Sequence, residues 1–224
     1  MADTYSKWAT QGVHVHYVSN SPWQVWPALS DFFDKVGFPK GSAHLRNVSV
    51  KELVLSKAGQ HKLDVIPKIF KDFPDRKFIL IGDTGELDPE VYQQVYNQFP
   101  DQVLKIFIHD VTTPHAIKVE KEAEERPDSY YEMLCNFIAR EAAFLTKGTT
   151  SPLAVGAMAQ TEVPDEQENI SDPDVPLQTK LQQLKARMER VSAGMRPGVF
   201  TVFSDPTTLS SDPVIVEALG KTKN

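Results

Sequence analysis

Two clusters of small polar and acidic residues, each following an apolar run, carry the chemistry available to this chain. The first is Ser19-Asn20, within Tyr17-Val-Ser-Asn-Ser-Pro-Trp-Gln24. The second is Gly82-Asp83 with Asp88, within Phe78-Ile-Leu-Ile-Gly-Asp-Thr-Gly-Glu-Leu-Asp88. An apolar run that breaks into carboxylates and hydroxyls is the pattern of a buried parallel strand whose C-terminal end opens into a ligand site. Two carboxylates at such an end suit Mg²⁺, which takes one or two of them and keeps waters for exchange with phosphate oxygens. The plainer alternative is that Asp83 starts a turn and Asp88 caps the next helix. Ser19 and Asn20, read as a strand end just ahead of a helix N-terminus, offer a hydroxyl, an amide and backbone N–H groups to an anion. An ordinary capping turn is the alternative there. Lys62 opens the helix that leads into the Gly-Asp strand, where the helix dipole disfavours a cation. It either serves an anion outside the helix or is a solvated lysine like Lys57 and Lys68.

The elements that must position these groups alternate. Thr4 to Gln11 reads as a short helix, and Val13 to Val18 as a strand ending at Ser19-Asn20. Pro22 opens a helix through Trp26, Leu29, Phe32 and Phe33. A short strand follows near Ala43 to Val48. A helix spans about Lys62 to Phe73, with Val65, Ile66, Ile69 and Phe70 on one face. Phe78 to Ile81 is an apolar strand, Pro89 starts a helix through Tyr96, and Val103 to Ile108 is another apolar strand. That order is the signature of a three-layer α/β fold around a parallel sheet. Glu120 to Asp128 is a solvated charge run, and Tyr130 to Leu145 a helix. Leu177, Leu181, Leu184, Met188 and Val191 form a short heptad seam, a candidate surface for a protein partner. Gly198 to Phe203 is a small strand returning to the domain. The division predicted is a domain over 1–147, an acidic disordered linker over 148–176 and a helix with tail over 177–224.

Composition narrows the function classes. The 224 residues, 41% hydrophobic, can bury one sizeable core. A net charge of −6 argues against nucleic acid as a partner. Residues Gly148 to Thr179 contain no Lys or Arg and six acids, Glu162, Asp165, Glu166, Glu168, Asp172 and Asp174. The single cysteine, Cys135, fits a reducing compartment. No apolar run resembles a signal peptide or a membrane span, so a cytoplasmic protein, peripheral at membranes where lipid is involved, is the expectation. The six histidines, His14, His16, His44, His61, His109 and His115, include no pair with ligand spacing tied to the carboxylates, which argues against zinc. A serine-hydrolase elbow, Gly-x-Ser-x-Gly, is absent.

A strand end with Ser, a helix-borne Lys, then Gly-Asp with a second acid resembles motifs two to four of haloacid-dehalogenase-type phosphatases. Tyr5 to Trp8, Tyr17-Val-Ser-Asn-Ser-Pro-Trp, Phe38-Pro39-x-Gly41, His61-Lys62-Leu63, Phe73-Pro74-x-Arg76 and Ile81-Gly-Asp-Thr-Gly-Glu-x-Asp-Pro-Glu-x-Tyr92 narrow the likeness. Together they resemble the actin-patch phosphatidate phosphatase family, over about Ala2 to Val111. The resemblance implies a Mg²⁺-dependent enzyme that converts phosphatidate to diacylglycerol and phosphate. It implies that Ser19, with Asn20, binds the phosphoryl group, that Lys62 neutralises it, and that Asp83 and Asp88 hold Mg²⁺.

The sequence departs from that family at the group that matters most. The Asp-x-Asp-x-Thr motif, source of the aspartyl nucleophile and the acid/base, occurs nowhere in the chain. Asp31, Asp34 and Asp110 do not match it, and His109 replaces the family's Arg near strand five. In the superfamily the strand bearing that motif lies mid-sheet, between those corresponding to Val13–Val18 and Phe78–Ile81. The expectation is an N-terminally truncated phosphatase domain that is inactive as given. The alternative is a non-catalytic phosphate- or lipid-binding regulatory protein on the same fold.

Overall fold

The computed structural model describes residues 1–47, 59–123 and 176–220. Its elements in chain order are α1 (Ala2–Ala9), β1 (His16–Pro22), a 3₁₀ turn (Trp23–Val25), α2 (Trp26–Val36), β2 (Ser42–Arg46), α3 (Gln60–Asp72), β3 (Phe78–Asp83), α4 (Asp88–Gln98) and β4 (Val103–His109). They continue with α5 (Thr112–Ala123), α6 (Leu177–Ser192), β5 (Phe200–Phe203), α7 (Thr207–Ser211) and α8 (Pro213–Gly220). The chain divides into two compact units, one of residues 1–111 with 185–224 and one of residues 112–184, so α6 begins in the second and ends in the first. The predicted helix over Tyr130 to Leu145, most of the charge run at Glu120 to Asp128 and nearly all of the acidic stretch lie outside the described residues. Among the described residues no helix is long and apolar enough to cross a membrane.

The first unit is α/β with parallel pairing, as the strand–helix alternation predicts. β3, β4 and β5 form one parallel sheet in that order, and β1 pairs with β2 in a separate parallel pair. β4 lies between two neighbours, and Val103, Ile106, Phe107 and Ile108 are fully buried. That explains why its sequence is nearly continuous apolar residue. Phe107 packs with Trp8 of α1, Phe203 of β5, Leu209 of α7 and Ile215 of α8. On α3, Phe70 stacks on Phe78 of β3 with centroids 4.0 Å apart. Gly41 lets the chain turn close to β1, because a Cβ there would lie 2.4 Å from the Val15 carbonyl oxygen.

Three elements differ from the sequence expectation. The first strand runs His16–Pro22 rather than Val13 to Val18, so Ser19 and Asn20 lie inside it and not at its end. Pro22 closes that strand with φ −68° and ψ 147°, and the helix starts four residues later at Trp26. A proline fixes its own φ and biases the preceding residue towards extended backbone, which here extends the strand instead of opening a helix. Finally, Thr112–Ala123 is helical where no helix was predicted.

The C-terminal segment is built into the first unit. β5 pairs in parallel with β4 through Ile106, Phe107, Ile108 and His109, in line with the predicted return of Gly198 to Phe203. Buried Lys105 pairs with Asp212 at 2.6 Å and donates to the Gly198 carbonyl at 2.6 Å. Arg196 donates to the carbonyls of Pro100 and Val103. Met188 and Val191 of the predicted heptad seam are buried, so that part of the seam is spent inside the chain.

Candidate functional site

The side chains that meet come from β1, α3 and the turn between β3 and α4. Lys62, the third residue of α3, is buried and sends its ammonium towards that turn. It donates to Glu86 Oε2 at 2.9 Å and to Asp88 Oδ1 in a very short contact. The solvated-lysine alternative therefore fails: Lys62 and Asp88 have side chains only 8% and 6% exposed. Asn20 Nδ2 donates to the same Glu86 oxygen at 3.3 Å, tying β1 to the β3–α4 turn. Glu86 thus links Asn20 to Lys62, a role that its residue type alone does not reveal. Its place in the quoted motif was the available signal.

Asp83 is the last residue of β3, and its Oδ1 accepts from the backbone N–H groups of Gly85 and Glu86 at 2.9 and 3.2 Å. The turn-forming alternative is correct as local structure. It leaves Asp83 Oδ2 with no hydrogen bond among the described groups. Asp88 is not a helix cap. It is the first residue of α4, which has no side-chain cap, and its Oδ2 accepts from the Asp83 N–H at 3.3 Å. Gly82 permits this approach, since a Cβ there would come within 2.4 Å of Asp88 Oδ2. Behind the turn, buried Thr84 donates its N–H to the His109 carbonyl and accepts from the Val111 N–H through Oγ1.

Ser19 and Asn20 sit where the β1–β2 register shifts, between Val18 and Pro22. Such an irregularity re-aims side chains and is frequent beside functional sites. Ser19 Oγ accepts from the Ser21 N–H and donates to Ser21 Oγ, both at 3.1 Å. The helix N-terminus expected beside them is displaced by the 3₁₀ turn, so helix-dipole assistance is absent from these two residues. Of the acids outside the cluster, Asp31 pairs with Lys35 on the exposed face of α2 at 2.6 Å. His109 stacks on Phe203. His16 Nδ1 and His44 Nε2 lie 3.1 Å apart across β1 and β2, a pairing that sequence spacing did not show. Among the described residues no three His, Cys, Asp or Glu side chains cluster as a metal cage.

Electrostatics set the protonation states. Burial pulls the Lys62 ammonium down, but the charges and hydrogen bonds of Asp88 and Glu86 pull it further up, so its pKa lies above the ordinary lysine value. Lys62 therefore stays charged at neutral pH. Burial pushes the Asp88 carboxyl up; Lys62 pulls it back, and Glu86 and Asp83 push it up again, for a net rise. Burial disfavours both charges and their mutual attraction opposes it, the near balance expected of a buried ion pair. The donor set is all hard oxygen: Asp83 Oδ2 is uncommitted, and each Asp88 oxygen has a second lone pair. That chemistry fits Mg²⁺, which needs only one or two carboxylates from the protein.

Residues 1–110 match the family model described as "Phosphatidate phosphatase APP1, catalytic domain". An uncharacterised protein of Schizosaccharomyces pombe is 38% identical over 110 residues, which cover 48% of this chain and 18% of that protein. The phosphatidate phosphatase APP1 of Saccharomyces cerevisiae is 40% identical over 98 residues, covering 43% of this chain and 16% of that protein. The chain thus spans less than a fifth of the length of these curated relatives. No solved structure matches the chain. Ser19, Asn20, Lys62, Asp83, Glu86 and Asp88 all lie inside the segment, residues 1–110, that matches the catalytic-domain model of phosphatidate phosphatase APP1.

Proposed function

We propose that this chain carries the phosphoryl-binding and Mg²⁺-binding part of a phosphatidate phosphatase site. The observation that carries the reading is the buried Lys62 ammonium held between Asp88 and Glu86 at the C-terminal end of β3, inside a segment of the phosphatidate phosphatase family. A charge kept dry and fixed is what stabilises a transferring phosphoryl group, since such transfer depends mainly on positioning and electrostatics. In this reading Lys62 draws in a phosphate oxygen, and Asn20 and Ser19 contact the group from the β1 side. Asp83 and Asp88 hold Mg²⁺, which when bound neutralises phosphoryl charge. Gly82, lacking a Cβ, leaves room for the Asp88 carboxylate, and Asp83 fixes the turn that presents Glu86. The lipid is phosphatidate and the product diacylglycerol, by analogy with the named yeast relative.

The finer fold assignment belongs to the same reading: a haloacid-dehalogenase-like sheet in which β1 and β3 flank a strand carrying Asp-x-Asp-x-Thr. Its support is that β1 and β3 belong to separate sheets, with no ladder between them among the described residues. An aspartyl nucleophile is required for the covalent route, and no Asp-x-Asp-x-Thr string is present in these 224 residues. That sequence fact favours a second reading, a non-catalytic phospholipid-binding protein using the same pocket.

Titration of the full chain with dioctanoyl-phosphatidate, in the presence of Mg²⁺, tests the proposal against dioctanoylglycerol as the phosphate-free control. Saturable binding of the phosphatidate alone, lost in Lys62→Met, is the expected result. Equal binding of the two lipids would overturn the phosphoryl site. Release of phosphate in the same samples supports the enzyme, and binding without release supports the second reading.

A further inference from the structure

The acidic turn between β3 and α4 is held from behind by a residue outside the family-matched segment. Arg187 of α6 is buried and donates four hydrogen bonds among the described residues. Its Nε donates to Glu90 Oε1 at 2.6 Å, and one terminal nitrogen donates to Glu90 Oε2 at 2.7 Å, a two-pronged grip on one carboxylate. The other terminal nitrogen donates to the Thr84 carbonyl at 2.8 Å, and the first also reaches the Glu86 carbonyl at 2.7 Å. Glu90 takes two of the five guanidinium N–H groups, and in this buried position the others need acceptors of their own. Gln93 already supplies a second fastening, donating to the Val191 and Arg190 carbonyls at 2.8 and 3.3 Å. Two of the four Arg187 bonds go to backbone carbonyls within the turn, at the residues flanking Gly85.

We propose that Arg187 is a positioning residue that sets the Thr84–Glu86 turn, and through it the meeting of Glu86 and Asp88 with Lys62 beside Asp83. The proposal rests on the phosphoryl- and metal-site reading above. On its front face the turn is held by Asp83 Oδ1, through the N–H groups of Gly85 and Glu86. On its back face the carbonyls of Thr84 and Glu86 point to the guanidinium. With both faces tied, the Glu86 side chain has a fixed origin from which to meet Lys62 and Asn20. The rigid fork of an arginine can satisfy a carboxylate and two carbonyls together, whereas a lysine offers three donors on one atom. Groups that orient metal-binding carboxylates typically change metal affinity about 10–100-fold when removed. The site in residues 1–110 therefore depends on a helix supplied from the C-terminal end of the chain.

The experiment compares the full-length chain with Arg187→Ala, Arg187→Lys and Gln93→Ala. Mn²⁺ affinity is read from the free-ion electron paramagnetic resonance signal, and amide exchange is followed at Gly85 and Glu86. Thermal unfolding reports how far each variant is destabilised. Arg187→Ala is expected to weaken Mn²⁺ binding at least about tenfold and to speed exchange of both amides, with Arg187→Lys intermediate. Gln93→Ala, which loosens the same helix without touching the turn, should leave both readouts near wild type. Equal effects of the Arg187 and Gln93 variants, or no effect of the Arg187 variants, would overturn the proposal. If Arg187→Ala does not fold, Arg187→Lys against Gln93→Ala decides it. Wild-type protein that binds Mn²⁺ no better than Asp83→Asn would sink the metal reading instead, and the exchange comparison would still decide the role of Arg187.

Discussion

Lys62 and Asp88 make a pair whose energetics differ from those of a surface ion pair. Both side chains are almost fully withdrawn from water, and each is the other's main source of charge compensation. Removing one partner strands the other, which typically costs about 3–5 kcal/mol, while removing both costs much less because neither charge is left buried. Lys62→Met should therefore lower the free energy of unfolding by about 3 kcal/mol. Lys62→Met with Asp88→Asn should recover a large part of that loss, although Glu86 keeps a more exposed carboxylate nearby. Chemical denaturation of the two single variants and the double variant gives the coupling directly. Additive losses would mean that the pair does not compensate itself as described.

At the scale of elements, β1 and β2 carry a titratable contact of their own. His16 and His44 pair across the parallel strands, the His61 ring reaches the His44 carbonyl at 3.1 Å, and Phe73 packs on the His16 ring. Burial lowers the pKa of His16, with His14 adding to the shift. Burial likewise lowers that of His44, with His16 and His61 adding. A group whose pKa is depressed by folding contributes stability that is fully present above its ordinary value, here 6.5. That contribution is lost as pH falls through the lower folded value. Unfolding midpoints should thus decline as pH drops below about 6.5, and His44→Asn should make the decline shallower. A slope unchanged by that substitution would remove the pair from the account.

The same elements show what could be read in advance. The strands Phe78–Asp83 and Val103–His109 were legible because burial on both faces writes itself as an apolar run. The placing of β1 was not, because Ser19, Asn20 and Ser21 have low strand propensity. They are held extended by tertiary pairing of the flanking residues with Ser42 through Arg46. Lys62, Asp83 and Asp88 were legible from residue type and position. Glu86 was visible in the motif but had no distinguishing environment. Arg187 could not be found at all, since its meaning lies in carbonyls some hundred residues away in the chain.

At the scale of the molecule, the family-matched residues and the C-terminal segment form one folding unit. Phe107 has its neighbours on α1, β5, α7 and α8, and Lys105 is buried against Asp212. A fragment ending before α6 would expose that apolar face and leave Lys105 without its carboxylate. Fragments 1–123 and 176–224, produced as separate chains, should therefore bind each other and fold on mixing. Independent behaviour of the two in size-exclusion chromatography and circular dichroism would contradict the unit as drawn.

The proposed function requires a divalent metal and a phosphoryl group to bind at the turn following β3. The most direct measurement is an anomalous-difference map from crystals of the full chain soaked in Mn²⁺ and inorganic phosphate. The expected result is one Mn²⁺ peak within bonding distance of an Asp83 oxygen, with phosphate density between it and Lys62 Nζ. Density for both ions elsewhere on the surface, with Lys62, Glu86 and Asp88 undisturbed and the turn empty, would contradict it.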